Sequence, residues 1–205
     1  MAYRAPEEIT HKGVKLSDAL EAHARWLEGR ADGEYLDWRG AYMRDADMRD
    51  AYMRGADMSG ANMRDADMRG AYMRDADMSD AYMRYANMRG ADMRGAYMRG
   101  ANMRGANMRG ADMRGADLWG ATGNMREIKS AQFDTWPLTW TTAPDGVVTL
   151  QIGCQRHTLD LWEESDPRWI AALDPGATEW WAKYRDIVLA LVKASPATPY
   201  GKKDD

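Results

Sequence analysis

The sequence predicts an all-β solenoid with a helix at its N-terminal end and a small α+β unit at its C-terminal end. Three observations lead to this prediction: an unbroken five-residue period from Leu36 to Gly120, an amphipathic segment from about Leu16 to Leu27, and a change after Gly120 to a segment that holds six of the nine Trp residues. With 205 residues, 45% of them apolar, the chain is long enough to bury a substantial core.

The repeat consists of seventeen consecutive pentads. Ala is the first residue of every pentad from Ala41 to Ala116, and Met is the third residue from Met43 to Met113. The second residue is Asp, Asn or Tyr, the fourth is Arg in fourteen pentads, and the fifth is Gly, Asp or, once, Tyr85. The first and third positions are therefore predicted to be buried, and the other three exposed.

A period of five excludes a helix and a flat strand. On an α-helix five residues advance about 140° beyond one turn, so successive Met residues would scatter around the axis. On a flat strand an odd period would send successive Ala and Met pairs to opposite faces. Both conflicts disappear if each pentad is a short extended segment that ends in a corner, where Gly tolerates positive φ and Asp bonds its own backbone. The pattern predicts a coil with Ala and Met inside.

The spacing of identical second residues favours four pentads per coil. Identities number 6 of 13 pairs at an offset of twenty residues and 6 of 15 at ten, but only 2 of 16 at five. Ser59 and Ser79, the two Ser residues at the fourth position, are also twenty residues apart. A four-sided coil, stacked on its neighbours at the ~4.8 Å spacing of a sheet, accounts for both observations.

The run A-(D/N)-M-(R/S)-G, repeated without a break, resembles the pentapeptide-repeat family. That resemblance implies a right-handed quadrilateral β-helix with four pentads per coil. Met at the third position departs from the family, which usually has Leu or Phe there. Met fills irregular space easily, so this departure changes the plasticity of the core more than the fold.

The N-terminal flank predicts a capping helix from about Leu16 to Leu27, with Ser17 as N-cap and Gly29 as stop signal. Capping is needed because an open coil end exposes unpaired backbone groups and an apolar floor. His23 and Trp26 are interpreted as packing residues of this cap. The segment H-A-R-W-L-E-G is similar to leaders of pentapeptide-repeat proteins of phages and bacteria.

The C-terminal flank predicts two strands and three helices. The strands are expected near Ile128 to Trp140 and Val147 to Ile152, joined by a turn at A-P-D-G. Helices are expected from Thr158, from Asp166 with Pro167 in the first turn, and from Thr178 to Ala194. The apolar face of the last helix is predicted to consist of Trp181, Tyr184, Ile187, Val188 and Leu191. The segments I-G-C-Q-R-H-T-L-D-L-W and W-A-K-Y-R-D-I-V resemble a C-terminal extension of phage and prophage pentapeptide-repeat proteins.

Three parts are therefore predicted: a capping helix in residues 1–30, the β-helix in residues 31–125, and an α+β module in residues 126–205 whose tail from Ser195 is mobile. We expect neither a membrane-spanning helix nor a secretory signal, because no apolar run is long enough and no charged-then-apolar leader begins the chain. The lone Cys154 excludes an internal disulfide and fits a reducing cytosol. The resemblance to phage and prophage proteins implies that this cytoplasm is that of a bacterial host cell.

The sequence offers little that suggests catalysis. Cys154 and His157 are the only pair that resembles a reactive constellation, but they lack a third catalytic partner and further zinc ligands. We interpret Cys154 as a buried structural residue. The Asp residues of the coil lie on a regular outer surface, and no phosphate-binding glycine motif is present. Neither an enzyme nor a cofactor or metal site is predicted.

The coil surface is the candidate for function. The whole chain has a net charge of −4, which does not favour nucleic acid or a membrane surface as partner. Residues 36–80 hold seven Arg and ten Asp, whereas residues 81–120 hold seven Arg and three Asp. One interpretation is charge patterning for solubility, in which Asp screens the Arg ladders. The other is a recognition surface of Arg and Tyr side chains, both frequent at hot spots: Tyr42, Tyr52, Tyr72, Tyr82, Arg84, Arg89, Arg94, Arg99, Arg104, Arg109 and Arg114.

Four functions stay open on the sequence. The leading hypothesis is a non-catalytic protein-interaction scaffold, encoded by a phage or prophage, that binds a host protein, a phage protein or a second copy of itself. The second is mimicry of DNA, because some members of the family occupy the DNA site of a topoisomerase. A mimic needs a strongly negative surface, for which the candidates are Asp47, Asp57, Asp67 and Asp77. Direct nucleic-acid binding by residues 81–120 and catalysis are the remaining alternatives.

Overall fold

The computed structural model describes residues 3–124, 127–133, 135–143 and 145–199. Before the coil lie a 3-10 turn (Pro6–Glu8), the strands β1 (Thr10–His11) and β2 (Val14–Lys15), and the helix α1 (Leu16–Leu27). After the coil come the strands β3 (Ile128–Gln132), β4 (Pro137–Thr142), β5 (Val148–Ile152) and β6 (Gln155–Thr158), followed by the helices α2 (Leu159–Glu163), α3 (Pro167–Leu173) and α4 (Ala177–Ala194).

The pentads form a coil in which each second residue makes a parallel β-bridge with the residue twenty positions later, from Asp37 and Asp57 to Asn102 and Thr122. Backbone hydrogen bonds join neighbouring turns of the coil: Met43 N–H donates to Asn62 O at 2.8 Å, and Asn62 N–H donates to Ala41 O at 2.9 Å. Four pentads therefore complete one turn, as the offset of identical second residues predicts.

Each corner of the coil is a left-handed residue at the fifth position. The corners include Gly60 at φ 65° and Asp50 at φ 55°, and the following Ala donates its N–H to the carbonyl of the preceding Met. This corner turns the chain inward again, so that Met53 and every later third-position Met up to Met108 are fully buried. The predicted division into buried first and third positions is correct.

The N-terminal segment closes one end of the coil. Ile9 and Leu16 join the apolar core of the coil together with Trp38. Arg4 adds a partial rung, because its N–H donates to Asp45 O and its carbonyl accepts from Asp47 N–H at 2.8 Å. This arrangement gives hydrogen-bond partners to backbone groups that a free end would leave open.

The strands β3 to β6 form one antiparallel sheet that closes the other end. Side chains alternate along β4 and β5 with the period of two that a strand imposes. Leu138 and Leu150 point to an apolar cluster with the helices, whereas Thr139 and Gln151 bond the last turn of the coil. The sheet thus has an apolar face toward α2, α3 and α4, and a polar face toward the backbone of the coil end.

Two predictions for the C-terminal strands are wrong. The segment from Ile128 to Trp140 is not one strand but the hairpin of β3 and β4, in which Gln132 pairs with Pro137. Pro137 has no N–H to donate, so it suits the first position of a strand rather than the middle of one. A further strand, β6, was not predicted. The A-P-D-G turn includes residue 144, which lies outside the described residues, although Ala143 and Val147 are hydrogen-bonded across it at 2.8 Å.

Two predictions for the helices are also wrong. The N-cap of α1 is Lys15, and Ser17 lies in the first turn, where its hydroxyl donates to Asp18. The helix starts earlier because the buried Leu16 donates its N–H to Ile9 O at 2.8 Å. On α4, Trp181 and Val188 are buried as predicted, but Ile187 is 58% exposed and is not part of the buried face.

The predicted starts of the two shorter helices are correct to within one residue: Thr158 is the N-cap of α2 and Asp166 is the N-cap of α3. The tail prediction is partly wrong, because Ala197 packs into the apolar cluster of the C-terminal helices. Residues 200–205 lie outside the described residues.

Candidate interaction surface

The coil has four sides, which we name after the first second-position residue on each. Around the coil they follow in the order of the pentads, so the Asp37 and Asp47 sides are opposite each other. The Asp37 side contains Asp37, Asp57, Asp77, Tyr97 and Asp117; the Tyr42 side contains Tyr42, Asn62, Tyr82, Asn102 and Thr122; the Asp47 side contains Asp47, Asp67, Asn87 and Asn107; the Tyr52 side contains Tyr52, Tyr72, Asp92 and Asp112.

The four predicted acidic residues do not form one surface. Asp57 and Asp77 lie on the Asp37 side, whereas Asp47 and Asp67 lie on the opposite side. Asp67 is fully buried. At most two of the four carboxylates can therefore face one partner at the same time.

Most Asp residues at the second position are held by the Arg two residues later. In this D-x-R clamp the carboxylate accepts the backbone N–H of the Arg and two hydrogen bonds from its guanidinium. Arg94, for example, donates Nε to Asp92 Oδ1 at 2.8 Å and Nη2 to Asp92 Oδ2 at 2.5 Å. The guanidinium of Arg94 holds the pKa of the Asp92 carboxyl below its usual value against the opposing effect of burial. The same clamp joins Asp37 to Arg39, Asp47 to Arg49, Asp67 to Arg69 and Asp112 to Arg114.

The clamps divide the predicted Arg residues into two groups. Arg94 and Arg114 are clamped on the Tyr52 side. Arg99 donates to Asp117 on the next turn of the coil at 2.6 Å and lies over the ring of Trp119. The charges of these three side chains are therefore balanced by carboxylates in direct contact.

In a second group of predicted Arg residues, the residue two positions earlier in the chain is not a carboxylate. Asn or Tyr occupies the second position of these pentads. We call Arg84, Arg89 and Arg104 the basic strip; they lie on the adjacent Tyr42 and Asp47 sides, toward the C-terminal end of the coil. Within the described residues none of the three makes an ion pair. Arg109 lies beside them on the Asp47 side, with its backbone N–H bonded to Asn107 Oδ1 at 3.2 Å.

Aromatic side chains accompany the basic strip. Tyr82 is 56% exposed on the Tyr42 side. The guanidinium of Arg84 lies 5.3 Å from the ring centroid of Tyr85, and that of Arg64 lies 5.9 Å from it. Tyr85 is a corner residue with φ 60° and is not among the residues predicted for the recognition surface. Its position was nevertheless visible as the only aromatic fifth residue of the repeat.

The other predicted Tyr residues behave differently from one another. Tyr52 and Tyr72 are stacked on adjacent turns of the coil, with ring centroids 4.8 Å apart and planes 6° apart. Tyr42 and Tyr82 share a side but are separated by Asn62, so their rings are not neighbours. The stacked rings of Tyr52 and Tyr72 therefore form a small aromatic patch. It lies on a side of the coil where most charged side chains are paired with a side chain of opposite charge.

The described part of the chain shows no hydrogen bond between Cys154 and His157, and the Cys154 thiol accepts one from Gln155 Nε2 at 3.7 Å. Cys154 is exposed, so its interpretation as a buried structural residue is wrong. His157 packs against Trp162 and Trp169 at centroid distances of 5.6 and 5.0 Å, and burial lowers its pKa. No group of three or more His, Cys, Asp or Glu residues in the described part of the chain is arranged to hold a metal ion.

None of the helices that the structure describes is both long and apolar enough to cross a membrane.

The sequence profile of the family described as pentapeptide repeats matches eight copies, in residues 34–65, 61–100 and 81–120. Proteins of this family fold as right-handed quadrilateral β-helices, with which the four-pentad spacing of the bridges agrees. No curated protein matches the sequence significantly.

Several solved structures resemble part of the chain. A pentapeptide repeat protein from Nostoc PCC 7120 is 31% identical over 47% of this chain and 71% of its own, with a TM-score of 0.37. HetL, a protein involved in heterocyst differentiation regulation from Nostoc sp. strain PCC 7120, is 27% identical over 43% of this chain and 45% of its own, with a TM-score of 0.24. QnrB1, a plasmid-mediated fluoroquinolone resistance protein, is 22% identical over 43% of this chain and 45% of its own, with a TM-score of 0.23. This chain spans less than half of the latter two.

Proposed function

This chain belongs to the pentapeptide-repeat family through its residues 34–120, and from that premise we propose that it is a non-catalytic scaffold whose coil surface binds an acidic patch on a partner protein. The observation that carries the proposal is the basic strip. Its Arg side chains lack the carboxylate that holds other Arg residues of the coil.

The clamps explain why these Arg residues differ from the rest of the surface. A bidentate Arg and Asp pair leaves little net charge for a partner to meet. Where Asn replaces Asp, as at Asn87 and Asn102, the Asn oxygen still accepts the backbone N–H of the following Arg, at 3.4 and 3.3 Å. The local turn is kept while the charge of the guanidinium is left uncompensated. An Asn at the second position thus makes an Arg available without changing the fold.

Rigidity favours the same proposal. The backbone beneath Arg84 and Arg104 is tied to the neighbouring turns of the coil by hydrogen bonds, such as the bond from Tyr85 N–H to Arg104 O at 3.1 Å. Side chains on a fixed wall lose less entropy on binding than side chains on a mobile loop. Positive charge on such a wall steers an acidic partner into one orientation.

Mimicry of DNA is the second candidate, and one observation favours it. Ser59 and Ser79 replace Arg on the Asp37 side, so neither Asp57 nor Asp77 is clamped by an Arg two residues later. Asp57 accepts the Ser59 hydroxyl at 2.8 Å and lies 3.6 Å from Arg39 Nε on the preceding turn, and Asp77 accepts the Ser79 N–H at 2.8 Å. Counting the second to fifth residues of its pentads, this side holds five Asp and two Arg. Over about 19 Å of coil that is roughly one net negative charge per 6 Å, whereas duplex DNA carries one per about 1.7 Å. The low charge density makes the scaffold the better supported function.

The origin of the gene, the cellular location, the alternative partner and the division of the chain into three parts are also proposals. The likeness of the segment from His23 to Gly29 and of the C-terminal extension to phage and prophage proteins supports a phage or prophage gene. A cytoplasmic site of action in a bacterial host, a second copy of the chain as an alternative partner, and the three-part division at residues 30 and 125 are proposed on the same sequence grounds.

The test is capture of partners from nuclease-treated bacterial lysate by the full chain and by two variants of equal charge change. In Arg89→Glu/Arg104→Glu the basic strip is reversed; in the control, Lys12→Glu/Lys15→Glu, two exposed residues beside the N-terminal helix are reversed. We expect a specific partner that is retained by the control, lost by the strip variant, and released as salt increases.

Three results would contradict the proposal. If the strip variant retained the same partner, the basic strip would not be part of the binding surface. Loss of a DNA-processing enzyme in Asp57→Asn/Asp77→Asn, with retention in the strip variant, would establish mimicry in place of the scaffold. Recovery that depends on omitting nuclease would instead indicate nucleic acid as the partner.

A further inference from the structure

The C-terminal helices and the sheet enclose a cavity of about 70 Å³ that no part of the proposed function uses. Four indole rings line it: Trp136, Trp162, Trp180 and Trp181. Most of the remaining wall is aliphatic, and the exposed Cys154 and Asp174 connect the cavity to the surface. It is therefore an aromatic chamber open to solvent rather than a packing defect inside a core.

The indole rings meet in two steeply inclined pairs, whereas Trp180 and Trp181 are nearly parallel, with planes at 13°. Trp136 and Trp180 have ring centroids 5.1 Å apart and planes at 61°, and Trp162 and Trp181 have centroids 5.2 Å apart and planes at 49°. Hydrogen bonds from two of the indole N–H groups hold the rings, because Trp162 donates to Leu150 O at 2.9 Å and Trp181 donates to Ser165 Oγ at 3.0 Å. The cavity thus has walls of aromatic carbon that are already in place before a ligand arrives.

The charge of the lining has one sign. Among the described residues, Asp174 is the only carboxylate that lines the wall, and none of the lining residues is Lys, Arg or His. Asp174 is held in position because its Oδ1 accepts the Gly176 N–H at 2.8 Å. Leu173 ends α3 and Ala177 begins α4, so opposite ends of two helix dipoles meet at this wall and largely cancel. The carboxylate therefore sets the electrostatic preference of the cavity.

Size narrows the class of ligand further. Cavities for drug-sized ligands measure roughly 300–1,000 Å³, so this one admits a single small group rather than a whole cofactor. A trimethylammonium group is of that size. Cations of this kind are recognised by the faces of several aromatic rings, and an adjacent carboxylate adds direct attraction.

We propose that the cavity binds a quaternary or methylated ammonium group, such as the head of choline or a trimethylated lysine side chain. The Trp walls contact the methyl groups, and Asp174 faces the positive charge. A plain apolar side chain would be accepted by the walls but would gain nothing from the carboxylate. Two probes of the same shape that differ in charge therefore distinguish a cation-binding site from a merely apolar one.

The test uses the full chain and the probe pair choline and 3,3-dimethylbutan-1-ol, which have nearly the same shape but differ in charge. Binding is followed by the nitrogen-proton correlation signals of the indole groups. We expect choline to shift the signals of the cavity Trp residues and to bind at least about tenfold more tightly than the neutral alcohol. Equal affinity for the two probes, or no shift with choline, would overturn the proposal.

A matched pair of variants tests the role of the carboxylate. Asp174→Asn keeps an oxygen for the Gly176 N–H but removes the charge; Asp160→Asn removes an exposed charge on α2 outside the cavity. We expect the first to weaken choline binding about tenfold and to leave the alcohol unaffected, and the second to change neither. Loss of affinity for both probes in Asp174→Asn, or equal loss in both variants, would contradict a charge-based site.

The thiol at the opening gives a measurement that needs no variant. Bound choline should slow the alkylation of Cys154 by N-ethylmaleimide in the unmodified chain, with half-protection at the affinity that the indole signals report. The alcohol at the same concentration should protect much less. Unchanged alkylation at saturating choline would place the bound cation outside the cavity and refute the assignment.

Discussion

Asp67 and Asp92 occupy the same position in their pentads and are clamped by Arg69 and Arg94 at 2.6 and 2.5 Å, but their exposure differs. The side chain of Asp67 is fully shielded from solvent, whereas that of Asp92 is 24% exposed. A buried charge depends on its partner much more than a hydrated one, because removing the partner leaves the charge without solvation.

We expect Arg69→Ala to lower the free energy of unfolding by about 3–5 kcal/mol, since it leaves the buried Asp67 with only the longer contact to Arg49 Nε at 3.9 Å. The matched variant Arg94→Ala should cost at most about 1 kcal/mol, because water can reach Asp92. Denaturant unfolding of both variants, followed by circular dichroism, measures the difference. Equal destabilisation would mean that burial of the carboxylate is energetically irrelevant to the clamp.

His23 has a defined tautomer. Its Nδ1 accepts the Leu36 N–H at 3.1 Å, so the proton resides on Nε2, which donates to Arg54 O at 3.0 Å. Burial lowers the pKa of His23 from its usual value of 6.5. Because the unfolded chain takes up a proton at higher pH than the folded chain, this residue must destabilise the fold as the pH falls below about 6.5.

We therefore expect the melting temperature to fall between pH 7.5 and pH 5.5, and the variant His23→Gln to show a smaller fall from a lower starting value. His157→Gln is the control. Burial lowers the pKa of His157 as well, but this residue is only half-buried, so its substitution should reduce the pH dependence less than His23→Gln does. Thermal unfolding at the two pH values gives the comparison. If His23→Gln keeps the full pH dependence of the unmodified chain, the neutral buried imidazole is not its source.

Burial of individual polar residues could not be predicted from the sequence. Nothing in the pentad A-D-M-R-G of Asp67 distinguishes it from that of Asp92, because the difference arises from neighbours on other turns of the coil. The Cys154 prediction failed for the same reason. A cysteine is usually buried, but the turn between β5 and β6 places this one at the surface.

At the level of elements, the coil was predictable and the flanks were only partly so. Every pentad repeats the same pattern of buried and exposed positions, so a wrong assignment in one pentad does not change the assignment of the next. In the flank, Pro137 is the residue that indicates a break in the segment from Ile128 to Trp140, because a Pro without an N–H suits the first position of a strand rather than its middle. The twenty-residue spacing predicts that Tyr52 and Tyr72 share one side and that Tyr42 and Tyr82 share another, and the bridges confirm this. Which Arg residues are held by a carboxylate depends on side-chain contacts that the spacing does not give.

In the loop after α1, the backbone of Gly33 lies so close to the backbone of Trp26 that there is no room for a side chain. A Cβ on Gly33 would lie 2.2 Å from the backbone N of Trp26 and 2.5 Å from its Cα. Gly33 N–H donates to Arg30 O at 3.1 Å, and Glu34 N–H donates to Ala22 O at 3.0 Å, so the loop is tied down onto the helix. A side chain at this position must push the loop away from α1.

We expect Gly33→Ala to destabilise the chain by about 3 kcal/mol through this clash. Gly60→Ala is the control: its Cβ would meet nothing within 4 Å, so only the left-handed backbone at φ 65° costs energy, about 1–2 kcal/mol. Unfolding midpoints of the two variants decide between the two causes. A larger effect at Gly60 would mean that the corners, rather than the docked cap, limit stability.

For the whole molecule, the two ends of the coil are closed by different chemistry. The N-terminal end is covered by apolar residues such as Ile9 and Leu16 and by a partial rung at Arg4. The C-terminal end is met by polar side chains, which replace the hydrogen bonds that another turn of the coil would supply. Gln151 is the centre of this contact: its Oε1 accepts the Leu118 N–H at 3.2 Å, and its Nε2 donates to Asp117 Oδ1 at 3.0 Å.

In a coil each turn contacts only its neighbours, so the loss of one end contact should remain local. We expect Gln151→Ala to speed hydrogen exchange at the Leu118 amide by about tenfold, because this buried N–H loses its acceptor, and to leave amides near Met53 unchanged. Gln155→Ala on the adjacent strand is the control and should alter neither. Faster exchange along the whole coil would mean that the C-terminal sheet stabilises every turn together, and that the molecule unfolds as one cooperative unit rather than from its end.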